Sequence, residues 1–466
     1  NDVMQRFIQN NLTYENLESE NLPKKIIEDL LQLHNPTQEL LDSKELNEDS
    51  LYALKYTELF SHMKILAGKR RYFQALKSET TYYKKWAKTL PFTLTEEQVK
   101  AIEDIQVDFK KDVASKRMIV GDVGSGKTMV ILASVLMMNP SRSILMAPTT
   151  ILAKQLFEEA QKFLPDIKSV LVTNKTKKID LSPFSFIIGT HALLYRELPP
   201  ADLVMVDEQH RFGTQQRNML EKLVSSGERK PHFLQFSATP IPRTQAMIET
   251  ANIDVSLITS TPFTKDITSK VIHKSDFNAL REKIESEIIK GNQVLLVYPL
   301  VEQSETIEYQ SIEEARGYWE KNFEKVYVTH GKDKEKEQVL LDFREKGNIL
   351  IATTVVEVGI SLPKLTTVVI VGAERLGLST LHQLRGRVSR TGLKGYCYLY
   401  TNQNKSQRLD EFVKTTSGFD IANLDLKYRK SGDLLRGNTQ SGSQFNWIDL
   451  AEDENIVKQV KQDLEI

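Results

Sequence analysis

The segment Gly121-Asp122-Val123-Gly124-Ser125-Gly126-Lys127-Thr128 follows a short apolar run, Met118-Ile119-Val120, and leads into an apolar stretch from Met129. It matches G-x-x-x-x-G-K-[ST] in full. Glycines in such a loop let backbone N–H groups curl around phosphate, and a helix N-terminus adds partial positive charge. Lys127 would reach the terminal phosphates, and the Thr128 hydroxyl would ligate Mg²⁺. The pattern predicts a nucleoside triphosphate site built on Gly121, Gly124, Ser125, Gly126, Lys127 and Thr128. A second chemical group, Asp207-Glu208-Gln209-His210, ends the apolar run Leu203 to Val206. Acidic residues often simply cap strand ends. Coupled to a phosphate loop, however, Asp207 can hold Mg²⁺ while Glu208 positions or deprotonates an attacking water. The third group is Gln383-Leu384-Arg385-Gly386-Arg387-Val388-Ser389-Arg390. Arg387 and Arg390 stand three apart and would share one helix face, as a solvated salt-bridge face also would. Beside a phosphate loop the pair reads as arginine fingers for the transition-state γ-phosphate, delivered across an interdomain cleft.

Further apolar runs end in Ala147-Pro148-Thr149-Thr150, Gly189-Thr190-His191, Ser237-Ala238-Thr239, His330-Gly331 and Ala352-Thr353-Thr354. Small hydroxyl residues and glycine leave backbone N–H groups free for phosphate oxygens. Each alone is an ordinary turn. Their recurrence at successive strand ends favours a nucleic-acid backbone track along Thr149, Thr190, His191, Thr353 and Thr354.

The elements that must position these groups follow from periodicity. Residues 1–90 lack strand-like alternation and carry helical spacing in Lys25 to Leu31 and Leu51 to Phe73, so they read as a helical segment. From Lys116 onward, short apolar runs alternate with helical stretches, the mark of a parallel sheet wrapped by helices. The runs are Met118 to Val120, Ser143 to Met146, Phe186 to Ile188, Leu203 to Val206 and Phe233 to Phe236. A second series comprises Val294 to Val297, Val326 to Val328, Ile349 to Ile351, Val368 to Val371 and Tyr396 to Tyr400. The expected fold is α/β, with two tandem parallel-sheet domains. The boundaries fall at 1–90 (helical linker), 91–262 (nucleotide-binding domain), 263–405 (second α/β domain) and 406–466 (helical hairpin and tail). The last twenty residues are expected to be disordered. Ligands of open parallel sheets bind beyond the carboxyl ends of the strands, where the groups above stand.

Composition narrows the class. A chain of 466 residues suggests about three domains at roughly 100–200 residues each. One cysteine, Cys397, excludes an intrachain disulfide framework and suits a reducing cytoplasm. The longest apolar stretch, around Val130 to Met138, falls short of the ~18 residues of a membrane span. Lys plus Arg and Asp plus Glu both number 62, so a polyanion must be recognised by a local patch. The start at Asn1 without a signal segment reads as an N-terminally trimmed fragment rather than an exported protein.

Taken in order, Gly121 to Thr128, Ala147 to Ala153, Asp207 to Gly213, Ser237 to Arg243, Ala352 to Gly359 and Gln383 to Arg390 resemble the motifs of a superfamily 2 helicase. Asp-Glu-Gln-His followed by Arg211-Phe212-Gly213, Thr239-Pro240-Ile241-Pro242-Arg243-Thr244, and Glu374-Arg375-Leu376-Gly377-Leu378-Ser379 with Leu381-His382-Gln383 narrow the resemblance to the RecG family. It covers roughly 22–442. The resemblance implies two RecA-like helicase domains and ATP-driven 3′-to-5′ translocation on double-stranded DNA, with ATP and Mg²⁺ as cofactors. It implies action on stalled forks and Holliday junctions by fork reversal and branch migration. Single-stranded DNA-binding protein is a candidate partner of a monomeric, cytoplasmic, nucleoid-associated chain with no membrane role. Gln98 in Leu94-Thr95-Glu96-Glu97-Gln98 is implied to read adenine, and Gln383 to join the nucleotide site. Gln209, His210, Ser237, Thr239, Arg429 and Gln440 are assigned to coupling hydrolysis to movement.

Three features depart from the family pattern. Ser389 stands where the family usually has Gly, which is expected to slow turnover. The tail Gly418 to Gly442 resembles the translocation hairpin. It reads Arg429-Lys430-Ser431-Gly432 and Leu435-Arg436-Gly437-Asn438-Thr439, with one residue inserted relative to the usual pattern. The family's N-terminal wedge, an OB-fold that splits forks, has no counterpart upstream of Asn1, so weak fork preference is expected.

Residues 55–88 carry a net charge of +7 and residues 1–54 a net −7. Aromatics Tyr56, Phe60, Tyr72, Phe73, Tyr82, Tyr83 and Trp86 interleave with the cations. Such a segment suits DNA backbone contact, or else a helix with a buried aromatic face and a solvated basic one. Other readings of the whole chain are a transcription-repair coupling translocase, whose family usually reads Asp-Glu-Glu-His where Gln209 stands, a non-catalytic ATP-gated DNA clamp, and a small-molecule P-loop kinase.

Overall fold

The computed structural model describes residues 2–35, 46–75, 83–225, 227, 229–239, 241–263, 265–301, 309–353, 361–389, 392–436 and 445–465; side chains at 2, 4, 5, 9, 210 and 429–436 are outside the description. By internal contacts the chain divides into two units. One comprises Asn1–Arg71, Ile241–Val255 and Leu426–Ile466, and the other Tyr72–Pro240 and Ser256–Asp425.

The larger unit holds the chemistry. Among the described residues its first sheet is built from β1 (Lys116–Gly121), β2 (Ser143–Met146), β3 (Ser169–Val172), β4 (Phe186–Gly189), β5 (Leu203–Val206), β6 (His232–Ser237) and β7 (Asp254–Ile258), whose residues from Ser256 on belong to this unit. They lie in the order β3-β4-β2-β5-β6-β1-β7. The second sheet contains β8 (Ile267–Ile272), β9 (Gln293–Val297), β10 (Val326–Thr329), β11 (Ile349–Ala352), β12 (Leu365–Val371) and β13 (Gly395–Tyr400), in the order β10-β11-β9-β12-β13-β8. The strand pairings are parallel. Residues of β2, β4, β5, β9 and β11 are buried throughout. Helices cover both faces, so these strands read as uninterrupted apolar runs rather than as alternation. The sequence runs match them.

Three strands have no such run. β3, β7 and β8 lie at sheet edges and are only partly buried, with β8 alternating half-buried and exposed positions. Water on one flank removes the demand for continuous apolar side chains.

Parallel packing directs the carboxyl ends of the strands to one edge of each sheet. β1 and β5 are separated by β6 alone, which sets the phosphate loop and Asp207 about 10 Å apart at ~4.8 Å per strand. The crossover helix Lys127–Met138 is buried at nine positions, including Val130, Ala133 and Met137, anchoring the loop to the core.

The smaller unit packs Glu48–Gly68 against Lys24–His34 and Glu454–Asp463. Leu59, Met63, Ile27, Val457 and Val460 share one apolar cluster. The Tyr56 hydroxyl donates to Asp463 Oδ2 at 2.6 Å and Lys55 pairs with Asp453 at 2.8 Å. The expected disorder of the last twenty residues is therefore overturned. Ile456, Val457 and Val460 recur at helical spacing on one face, and burying that face orders the segment.

The basic aromatic segment divides between buried and exposed parts. Tyr56 and Phe60 are buried in this cluster, and Tyr83 and Trp86 in the core of the larger unit. Lys64, Arg70 and Lys84 pair with Glu20, Asp254 and Glu103. Between the buried aromatics, Tyr72 is exposed, as are Lys69 and Arg71. Among the described residues no helix is long and apolar enough to cross a membrane.

Candidate active site

Gly124 and Gly126 adopt φ of +83° and +76°, a left-handed backbone that glycine enters without steric cost. This curls the loop back over the first turn of the following helix, whose N-cap is Gly126. The Lys127 ammonium donates to the Gly121 carbonyl at 2.8 Å and the Asp122 carbonyl at 3.2 Å, which folds it along the loop. Gln98 is buried and used at both ends. Its Oε1 accepts from Thr95 N at 2.8 Å, closing a capping box, and its Nε2 donates to the Ser125 carbonyl at 2.7 Å. The loop is thus braced by the helix Glu96–Phe109.

Asp207 stands at the end of β5 with its carboxyl almost fully enclosed. Burial pushes its pKa well above the carboxylate range. The Glu208 charge pushes in the same direction, and Lys127 opposes both. Asp207 Oδ1 accepts from Glu208 N at 2.9 Å. Glu208 takes a left-handed backbone, φ +51°, and its Oε2 accepts from Ala238 N at 3.2 Å. The acidic pair is thereby joined to Ser237-Ala238-Thr239 at the end of β6, where Ser237 Oγ accepts from Thr239 N at 3.2 Å. Gln209 Oε1 accepts from Arg217 at 3.1 Å.

The second sheet contributes the helix Leu378–Arg385 and the turn after it. Gln383 Nε2 donates to Thr239 Oγ1 at 3.0 Å, and Arg387 is buried. A cleft of about 820 Å³ is lined by Gln98, Lys127, Thr128, Asp207 and Glu208 from the first sheet side, and by Gln383 and Arg387 from the second. Phe92 and Phe263 line it as well. Residues far apart in sequence thus meet around one space of ligand size.

The donor set also suits a divalent cation. Among the described residues, no cluster of three or more His, Cys, Asp or Glu could hold a metal. One buried carboxylate, forced towards its neutral form, faces the same cleft as the Thr128 hydroxyl. Mg²⁺ is commonly held by one or two protein oxygens plus substrate phosphates, and a cation there would keep Asp207 ionised.

The strand-end residues are arranged differently. Thr149 and Thr190 use their hydroxyls as helix caps, accepting from Leu152 N at 3.2 Å and Ala192 N at 3.4 Å. Thr190 is buried, His191 exposed and Thr353 half-buried. Thr354, Arg390 and Gln440 lie outside the described residues, as do the side chains of His210 and Arg429. Sequence reasoning passed over Asp122, Lys265, His382, Arg385 and Gly418, which join the two sheets. Lys265 donates to the Val123 carbonyl at 2.8 Å, and His382 Nε2 meets Asp122 Oδ1 at 2.5 Å. His382 was visible inside the motif Leu381-His382-Gln383, but its partner lies 260 positions away.

Two family models match this arrangement, DEAD/DEAH box helicase over residues 95–248 and helicase conserved C-terminal domain over 275–392. Paired parallel sheets with a phosphate loop on one and an arginine-bearing helix on the other define a superfamily 2 helicase. The chain is 50% identical to the ATP-dependent DNA helicase RecG of Helicobacter pylori (strain ATCC 700392 / 26695), across 99% of this chain and 76% of that protein. It is 38% identical to the RecG of Aquifex aeolicus across 88% of this chain and 56% of that protein. A solved RecG bound to a three-way DNA junction matches with a TM-score of 0.72 at 28% identity, over 94% of this chain and 61% of that one. The chain belongs to the RecG family of ATP-dependent DNA helicases.

Proposed function

We propose that this chain is an ATP-driven double-stranded DNA translocase with 3′-to-5′ polarity that remodels stalled forks and branched recombination intermediates, by fork reversal and branch migration. The observation that carries the reading is the convergence of Lys127, Asp207, Glu208 and Arg387 on one cleft. The junction-bound relative supports branched DNA as the substrate class.

In this reading Gly121, Gly124, Ser125 and Gly126 cradle phosphate with backbone N–H groups, and Lys127 leaves its carbonyl partners for the terminal phosphates. Thr128 and Asp207 hold Mg²⁺, which when bound supplies charge neutralisation on the phosphate oxygens. Glu208 orients the attacking water, and Arg387 with Arg390 stabilises charge developing on the γ-phosphoryl group. Gln98, already oriented by its cap, reads the base, and Gln383 senses closure through Thr239. Thr149, Thr190, His191, Thr353 and Thr354 follow the DNA backbone, chiefly through main-chain N–H groups where hydroxyls serve as caps. Gln209, His210, Ser237, Thr239, Arg429 and Gln440 couple hydrolysis to movement. The chain works as a monomer in the cytoplasm, at the nucleoid, with single-stranded DNA-binding protein as a partner.

ATP turnover measured alone and with linear duplex, single-stranded and forked DNA tests the assignment. Duplex and forked DNA should both stimulate turnover, and displacement of a third strand from a triplex should accompany it. Turnover indifferent to DNA would remove the translocase reading and leave a nucleotide-gated clamp or a P-loop kinase.

A further inference from the structure

The phosphate-loop pattern leaves Asp122 unspecified, and the roles above do not use it. Its carboxylate nonetheless meets groups from both sheets. Oδ1 accepts from Val123 N at 2.6 Å and faces His382 Nε2 at 2.5 Å, and Oδ2 accepts from Gly418 N at 3.0 Å. The chain continues from His382 on one side of this carboxylate to Gly418 on the other. Behind the imidazole, Nδ1 meets Arg385 Nη2 at 3.1 Å. The Arg385 guanidinium lies over the Phe412 ring, 4.3 Å from its centroid, and donates to the carbonyls of Phe412 at 3.1 Å and Thr416 at 3.4 Å.

Protonation states follow from these contacts. Arg385 Nη2 can only donate, so the Nδ1 it meets carries no proton and the ring is neutral; burial acts in the same direction. The proton on Nε2 is donated to Asp122, and the bare Nδ1 accepts from Arg385. Every polar atom of the ring is satisfied in that one tautomer. Burial works against an ionised Asp122, yet the hydrogen bonds from His382 and from the N–H groups of Val123 and Gly418 outweigh it and hold its pKa below the ordinary range. A carboxylate placed this way is a rigid three-way junction, because losing any donor leaves buried charge undercompensated.

Packing allows it a single register. A Cβ on Gly386 would lie 2.8 Å from Val123 Cγ1, and a Cβ on Gly418 2.7 Å from the Asp122 carboxylate. Lys265 bridges the carbonyls of Val123 and Gly386, at 2.8 and 3.5 Å. Gly386 directly precedes Arg387. A shift of the phosphate loop at Asp122-Val123 must therefore carry the turn bearing Arg387 with it.

We propose that Asp122 is a positioning residue for hydrolysis: it ties the phosphate loop to His382 and Gly418, so that the conformation of the loop sets the placement of Arg387 in the cleft. The inference rests on the assignment of Lys127 and Arg387 made above. Asp122 touches no substrate in this scheme and acts through the arginine.

The test is a set of steady-state ATPase measurements with saturating duplex DNA on Asp122→Asn, Gly418→Ala, Arg387→Ala and the double variant Asp122→Asn with Arg387→Ala. Asparagine keeps the shape but loses the charge that three donors share. Gly418→Ala leaves every charge in place and displaces the carboxylate sterically. Asp122→Asn should lower kcat on the order of 10²-fold, the cost of an approximately 1 Å misplacement, with KM for ATP within threefold of wild type. Gly418→Ala should lower kcat in the same direction with KM likewise held. The double variant should be no slower than Arg387→Ala alone, because the two act on one path. A rise in KM at unchanged kcat would assign Asp122 to nucleotide binding and overturn the proposal, as would additive losses or wild-type kinetics in both single variants. Should Asp122→Asn fail to fold, Gly418→Ala decides by the same criteria. Lys127→Ala run alongside separates the two levels: an inactive Lys127→Ala with a wild-type Asp122→Asn refutes the tie alone, whereas an active Lys127→Ala refutes the nucleotide site on which it rests.

Discussion

Ser389 combines two costs at one position. Its φ is +62°, and a non-glycine side chain in this left-handed region costs about 1–2 kcal/mol. It is also buried, and its hydroxyl has no hydrogen-bond partner among the described residues. A buried unsatisfied hydroxyl costs about 1–3 kcal/mol. Ser389→Gly removes both. Against this stand the extra freedom of glycine in the unfolded chain, about 0.4–1 kcal/mol, and the loss of one buried methylene, about 0.8 kcal/mol. The balance is a stabilisation of about 2 kcal/mol, or on the order of 4 °C in the melting temperature for a unit of this size. Ser389→Ala isolates the hydroxyl contribution, since it keeps both the methylene and the left-handed penalty, so it should stabilise by about 1–3 kcal/mol. Differential scanning calorimetry of the three proteins reads both steps. The resemblance to a family with Gly at this position adds a kinetic expectation: turnover should rise in Ser389→Gly because Arg387 lies two residues away. Unchanged or lowered melting of Ser389→Gly would refute the strain argument.

Arg387→Ala should lower kcat on the order of 10³-fold, with ATP affinity little changed, if its charge acts on the transition state; a defect confined to KM would place it in ground-state binding. Glu208→Gln should retain nucleotide binding, measured by fluorescent-analogue titration, while turnover is lost. Leu59→Ala should destabilise the smaller unit by about 2–5 kcal/mol in urea unfolding and expose the helix Glu454–Asp463 to proteolysis, because Leu59 and Val457 share a cluster. The Asp122 carboxylate, held below its ordinary range by the three donors that meet it, contributes stability while it is ionised. That stability is present above pH ~4 and is lost as pH falls through the lowered pKa; His382 meets the group with Arg385 behind the ring, and Asp122→Asn should flatten this acid limb in pH-dependent unfolding.

The parts of this molecule that read directly from sequence are those whose physics is local. The phosphate loop works through glycine conformation and adjacent N–H groups, so eight contiguous residues carry it. The central strands β2, β5, β9 and β11 are covered on both faces, and full burial writes itself as an apolar run. The edge strands β3, β7 and β8 escaped because half-wet backbone tolerates polar residues such as Thr268 and Lys270, both exposed. Asp122 and His382 escaped for a different reason: an unspecified loop position gains its role only when chain folding brings a partner from the other sheet. The terminal helix shows the limit of composition, since Glu454–Asp463 is polar over most of its surface and buries Ile456, Val457 and Val460 on one face. The hydroxyls of Thr149 and Thr190 illustrate the converse. Residue type marked a surface for phosphate, whereas geometry commits those oxygens to helix caps.

The central claim is that one cleft, built from both sheets, turns over ATP in the service of movement on duplex DNA. The most direct measurement is DNA-stimulated phosphate release by the wild-type chain and Lys127→Ala, recorded with triplex displacement in the same reaction. Wild type should release phosphate faster with duplex DNA and displace the third strand, while Lys127→Ala should bind duplex DNA yet do neither. Duplex-stimulated turnover or strand displacement persisting in Lys127→Ala would contradict the account.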